Sequence, residues 1–352
     1  MNQRLLRLRQ SLEQSELDGI IIDGRENIYY LSAFTGGEDA RLLITAEEAM
    51  LFTDSRYTEQ AARESPDWTL IEEKPPVGKA LRERARLSGK IGIEDTVSYR
   101  SYMEMKAELG EALVPVSGMV EQLRVIKEAD ELELLRQAAF IGSEVFADLL
   151  SAIKPGMTEK TVANLIVSGL RQKGCDKESF DPIAVSGINA ALPHGVPGER
   201  NLQKGDMLTL DFGGFYRGYA SDMTRTVAIG VADQRLRDLY NKLLDAQQYG
   251  VELVRAGVSC ADLDRQVRQR LARYDLDKYF AHGTGHGIGL EIHEMPNVSS
   301  RSQWVLQENM VITVEPGVYI PGWGGIRIED SVIVKNHGCE IITNSPKQLI
   351  VI

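Results

Sequence analysis

Cysteine is scarce in this chain: Cys175, Cys260 and Cys339 stand far apart among 352 residues, with no CxxC pair. An odd, scattered set supports neither a disulfide framework nor a thiolate zinc site, and it fits a reducing compartment. Long hydrophobic runs are missing too, the longest being a few residues where roughly twenty would be needed to span a bilayer. The opening MNQRLLRLRQSLEQ places Leu5, Leu8 and Leu12 at helical spacing among charges. That reads as an amphipathic surface helix rather than a secretory signal, so a cytoplasmic protein without membrane contact is expected. Positive charge is outnumbered: 40 Lys and Arg against 51 Asp and Glu leave a net charge of −11 and a pI near 5.1. Such a balance opposes non-specific attraction to nucleic acid. What is present is ordinary, with 43% hydrophobic and 26% charged residues. A chain of this length and composition folds throughout, as about two domains, each with its own core.

The pattern of the first third is α/β. Short apolar runs (GIII, RLLIT, AMLFTD, KIGIED) alternate with the helical stretches RYTEQAARE and VGKALRERARL, and ALVPV reads as the last strand. The charged helical segment LRVIKEADELELLRQAAFIGSEVFADLLSAI follows, ended by Pro155-Gly156. A boundary between Val120 and Lys127 divides the chain into domains at 1–121 and 122–352.

The second domain contains an internal repeat. Ile153-Lys154-Pro155-Gly156-Met157-Thr158 parallels Val254-Arg255-Ala256-Gly257-Val258-Ser259, and each precedes a helix. After each helix comes an expected hairpin, MLTLDFGGFYRGYASDMTRTVAIG in the first copy and MVITVEPGVYIPGWGGIRIEDSVIV in the second. Two helix-then-hairpin halves imply pseudo-twofold symmetry.

Each hairpin carries two carboxylates on opposed strands. Asp211 and Asp222 flank the GGFYRGY turn, and Glu315 and Glu329 flank the PGWGG turn. Acids inside runs as apolar as MLTLDF and VITVEP are costly to bury without cations, and symmetry directs both pairs at one centre, where one or two divalent ions would neutralise them. Histidine sharpens this reading. Of five in the chain, His282, His286 and His293 fall within HGTGHGIGLEIHE, and His194 stands beside glycine in NAALPHG. Imidazole both ligates transition metals and titrates near neutrality.

Other motifs fail. Gly283, Gly285, Gly287 and Gly289 recur every second residue, unlike GxGxxG, and no Walker lysine pattern occurs. His293-Glu294 begins like HExxH, but Asn297 replaces the second histidine and Pro296 would break the helix. No GxSxG elbow is present.

With these motifs the whole chain resembles the pita-bread metallopeptidases, in the proline-specific branch of aminopeptidase P and prolidase. The resemblance implies an α/β, creatinase-like N-terminal domain followed by an α+β pita-bread (creatinase/aminopeptidase) catalytic domain. It also implies five metal ligands: Asp211 in LDFGG, Asp222 in SDMTRT, His286 in HGTGHGIG, Glu315 in EPGVY and Glu329 in GIRIED. By that similarity Asp222 and Glu329 would bridge two divalent ions, manganese before cobalt or zinc. Asp211 would chelate one ion, and His286 with Glu315 would complete the other. Glu315 would shuttle the proton, and His194, His282 and His293 would contact substrate. Arg327, two residues before Glu329, could hold carboxylates in place.

YLSAFTGGEDARLLIT and LFTDSRYTEQAA resemble segments of short bacterial members, many of which read GFTGSxG. Ala33 and the Gly37-Glu38-Asp39-Ala40-Arg41 stretch depart from that pattern. Asp39 and Arg41 supply the two charges with which a dipeptidase reads both substrate ends, and in a homodimer Arg41 could cap the proline carboxylate. The expected activity is therefore metal-dependent hydrolysis of Xaa-Pro dipeptides or short peptides. Alternatives are aminopeptidase P activity on longer peptides, metal-free creatinase-type hydrolysis and an inactive binding module. The five intact ligands oppose the last two, and the N-terminal domain opposes methionine aminopeptidase.

Overall fold

The computed structural model of the chain describes residues 3–73 and 89–352. It divides into two units, Met1–Arg124 and Val125–Ile352. In the first, the apolar runs become strands: β1 (Gly19–Ile22), β2 (Ala40–Thr45), β3 (Ala49–Thr53), β4 (Thr69–Glu72), β5 (Ile91–Glu94) and β6 (Leu113–Val116). They form one mixed sheet in the order β4-β3-β2-β1-β5-β6. β1 and β5 are buried at every position and pair in parallel, which is why GIII and IGIE show no polar alternation. Ile21, Leu43, Phe52, Ile93 and Met105 build the core of this unit. The helix Gln3–Gln14 buries Leu8 and Leu12, as the leucine spacing predicts. The expected helix VGKALRERARL lies outside the described residues. No described helix is long and apolar enough to cross a membrane.

The long helical segment expected at the boundary is two helices, Glu121–Arg124 and Ala129–Ala152. The chain leaves the helix between them because Lys127 turns inward to a buried ion pair with Glu294, at 2.6 Å. Glu128 and Glu131 then form a reciprocal capping box that restarts the helix.

In the second unit the six-residue repeat has the same local geometry twice. Gly156 (φ +89°) and Gly257 (φ +88°) occupy the left-handed region that favours glycine. Thr158 and Ser259 cap the helices Glu159–Gln172 and Cys260–Ala272 by accepting from Thr161 N and Asp262 N. Gly156 N donates to Leu202 O and Gly257 N to Leu306 O, both at 2.8 Å. The first copy continues into β7 (Lys177–Glu178), β8 (Ile183–Ser186), β9 (Met207–Phe212), β10 (Gly214–Tyr216), β11 (Tyr219–Ala220) and β12 (Met223–Ala228). The second, after the helix Gln234–Leu253, adds β13 (Gly285–Gly287), β14 (Glu294–Val298), β15 (Val311–Val314), β16 (Gly317–Ile320), β17 (Gly324–Arg327), β18 (Asp330–Lys335) and β19 (Gly338–Ile341).

Each expected hairpin is nested rather than continuous. β9 pairs with β12 and β15 with β18, while the inner pairs β10/β11 and β16/β17 peel away into other sheets. The inner strands find different neighbours, β10 pairing with β7, so the outer ladders end where the carboxylates sit. The halves join along a polar seam. Glu329 N donates to Thr224 O, and Ser331 Oγ donates to Asp222 O at 2.8 Å. The fully buried Arg225 donates to the carbonyls of Thr224 and Glu329 and pairs with Asp330 at 2.8 Å.

Candidate metal centre and active site

Strand register brings the four acids together. Asp211 lies opposite Thr224 in the β9/β12 ladder, and Asp222, two residues before Thr224, shares its face. Val314 lies opposite Asp330, so Glu315 and Glu329 flank that pair just beyond the ladder's end. His286 on β13 joins them, its Nε2 3.5 Å from Asp222 Oδ2 and 3.3 Å from Glu315 Oε1. One ligand atom each from Asp222, His286 and Glu329 lies within 4.8 Å of the others. All five residues line a cavity of about 680 Å³.

Too little positive charge faces these acids. Arg327 reaches Asp211 Oδ2 at 2.5 Å, Thr224 Oγ1 donates to Glu329 Oε2 and Thr313 Oγ1 to Glu315 Oε1. Asp211 Oδ1 and Glu329 Oε1 are buried with no hydrogen-bond donor among the described residues. Burial pushes Asp222 well above the usual carboxylate range, and repulsion from Glu329, Asp211 and Glu315 adds to the shift. Glu329 is raised for the same reasons, and Asp211 is raised by burial despite Arg327. Glu315 goes the other way, because the bond and charge of His286 outweigh its burial. Orphaned oxygens and mutual repulsion in a dry, oxygen-rich site are the conditions that divalent cations relieve, so the donor set fits metal.

The every-second glycines have a packing cause. A Cβ on Gly285 would lie 2.0 Å from Thr313 O, one on Gly287 2.3 Å from Met295 O, and one on Gly289 2.4 Å from Glu294 Oε1. One face of this segment is pressed against neighbouring groups, which leaves the alternate face to Thr284, His286 and Ile288. Gly285→Ala should therefore push β15 away at Thr313, whose hydroxyl also accepts from His286 N. A loss of at least ~2 kcal/mol in denaturant unfolding, together with weaker metal binding, is expected. Wild-type stability and metal content would overturn this account.

The cavity is also lined by His194, His282 and His293, with Phe180, Pro182, Ile183 and Val196 forming an apolar wall. Burial lowers His282 and His293, which favours neutral rings near neutrality. His282 Nε2 lies 2.8 Å from Tyr319 Oη, and Arg327 Nη1 donates to the same hydroxyl at 2.7 Å. Sequence reasoning missed Tyr319, Thr224 and Thr313. The signal for Tyr319 was the inner hairpin itself: residues 317 and 319 on β16 lie opposite Arg327 and Gly325. Asp39 and Arg41 have partners within the N-terminal unit. Asp39 accepts from Arg56 and Tyr57, both at 2.9 Å, while Arg41 pairs with Asp23 at 2.5 Å and donates to Ser101.

Residues 133–336 match metallopeptidase family M24, and residues 4–126 match the creatinase/prolidase N-terminal domain. Among solved structures, an Xaa-Pro dipeptidase from Bacillus anthracis is 41% identical with a TM-score of 0.96, covering 99% of each chain. An X-Pro aminopeptidase from Thermotoga maritima is 34% identical with a TM-score of 0.90, again covering 99% of each chain. The Xaa-Pro dipeptidase of Pyrococcus horikoshii is 32% identical, the alignment covering 99% of both chains.

Proposed function

Because the chain belongs to metallopeptidase family M24, with a creatinase/prolidase domain ahead of the catalytic one, we propose that it is a dinuclear Xaa-Pro dipeptidase. The observation that carries this reading is the convergence of four carboxylates and His286, with Arg327 as the one arginine of the cavity lining among the described residues. Asp211, Asp222, His286, Glu315 and Glu329 would hold the ions. Divalent ions bound there polarise the scissile carbonyl and lower the pKa of a water molecule. Glu315 takes the proton from the attacking water and returns it to the leaving proline nitrogen. His293 donates to the oxygen on which charge develops, His282, held between Gly283 O and the Tyr319 hydroxyl, lines the substrate with its ring, and His194 contacts the substrate from its own loop. Arg327 pairs with Asp211 and holds it in place. The apolar wall suits a proline ring and excludes water from the bond that breaks.

The test is hydrolysis by the manganese-loaded protein of Xaa-Pro dipeptides, Xaa-Pro-Yaa tripeptides and Xaa-Ala controls, with cobalt and zinc as comparison ions. Preferential cleavage of Xaa-Pro dipeptides is expected. No hydrolysis, or equal cleavage of Xaa-Ala, would overturn the reading, and a preference for tripeptides would favour the aminopeptidase activity named for the Thermotoga maritima relative. Arg41 enters here as the group that reads the proline carboxylate within a homodimer, and it must exchange Asp23 for that carboxylate to do so. Arg41→Ala should then raise KM for dipeptides about ten- to a hundredfold and spare tripeptides. Equal effects on both lengths, or none, would return Arg41 to its ion pair with Asp23.

A further inference from the structure

Glu159 opens the helix Glu159–Gln172, is fully buried and lies outside the cavity lining. Its Oε1 accepts from Ser186 N at 2.7 Å and Ser186 Oγ at 2.8 Å, and its Oε2 accepts from Gly198 N at 3.1 Å. Asn189 Nδ2 reaches both oxygens at 3.2 Å. Ser186 and Gly198 are the two ends of one segment, and His194 sits between them, lining the cavity. His194 itself is exposed and makes no hydrogen bond with a described residue, so only the course of this segment's backbone places its ring.

The internal repeat shows that the fold does not require this acid. The equivalent position in the second copy is Cys260, also fully buried. Glu159 N donates to Arg200 O at 3.0 Å, and Cys260 N makes the same bond to Trp304 O at 2.9 Å. Helix start and returning chain therefore pair equally well with a thiol in that place. A buried carboxylate is retained in the first copy against its desolvation cost. Among the described residues no cation touches it directly: Arg200 donates to Ser186 Oγ and to Asn201 O and pairs with Asp206, at 2.6 Å. The charge is committed to amide and hydroxyl donors at the ends of the His194 segment.

We propose that Glu159 is a positioning residue for His194, tying residues 186 and 198 together so that the imidazole is presented to substrate. This rests on the reading of His194 as a substrate-contacting group. Glu159→Gln keeps the volume but sets amide hydrogens against donors, and Ser186→Ala removes one donor more gently. The experiment is a double-mutant cycle of each with His194→Ala in the metal-loaded enzyme, using an Xaa-Pro dipeptide, alongside hydrogen exchange of the backbone.

Glu159→Gln is expected to lower kcat/KM about tenfold or more, and adding His194→Ala should then cost less than about threefold further. Bound metal and helix content should stay at wild-type values, and exchange should quicken within residues 186–198 alone. Ser186→Ala should move every readout the same way by less, and it carries the cycle if Glu159→Gln does not fold. Multiplying losses, unchanged exchange in residues 186–198, or losses that follow metal or helix content in both variants would overturn the proposal. A costly His194→Ala beside a silent Glu159→Gln overturns this inference alone, whereas a silent His194→Ala removes the reading of His194 and this inference with it.

Discussion

Replacing Asp222 or Glu329 by alanine is expected to bring bound metal below two ions per chain and to reduce hydrolysis by at least about a thousandfold. Both carboxylates stand where burial and neighbouring acids oppose ionisation most strongly. A bound cation reverses that balance, so much of its binding energy comes from acids that are unfavourable in its absence. The stability of the metal-free protein gives a second readout. Removing Asp222 relieves repulsion among Asp211, Glu315 and Glu329, so metal-free Asp222→Ala should unfold no more easily than the metal-free parent. Its gain in Tm on adding manganese should nevertheless be lost, because ligand-linked stability needs the site intact. Glu329→Ala also strands the hydroxyl of Thr224, which donates to Glu329 Oε2 at 2.7 Å, and should cost some stability in its own right. Full metal content and activity in either variant would remove the bridging assignment.

Glu315→Gln should retain the fold and much of the metal while losing kcat by about a hundred- to ten-thousandfold with little change in KM. The amide oxygen can still accept from Thr313 Oγ1, which donates to Glu315 Oε1 at 3.2 Å, and can still ligate, but it cannot accept a proton from water. Glu315 is also the acid that the metal-free structure holds below the usual carboxylate range, through the bond and charge of His286. Steady-state kinetics with metal analysis of the same sample separates the two outcomes. Near-normal turnover removes Glu315 from proton transfer, and a loss that follows metal content makes it a ligand alone.

What the sequence determined by itself was local chemistry and its repetition. Apolar runs of four to six residues, the leucine spacing of the first helix and two glycine-capped helix starts are written within short windows, where backbone sterics and side-chain period act directly. The acids and histidines were legible for the same reason: charged groups inside apolar strands, and histidines concentrated in one stretch, are anomalies that need no partner to be seen. Only the tertiary structure decided which groups meet. Arg327 finds Asp211, Thr224 finds Glu329, Lys127 finds Glu294 and Glu159 clamps the His194 segment across separations of up to 167 residues. Those pairings depend on how two half-sheets join, and local propensity carries no information about that join. The glycines at 283, 285, 287 and 289 mark the division. Their period was visible, but its meaning came from the neighbouring carbonyls and the Glu294 carboxylate packed against them, because whether a Cβ fits is set by what packs there and not by the residue itself.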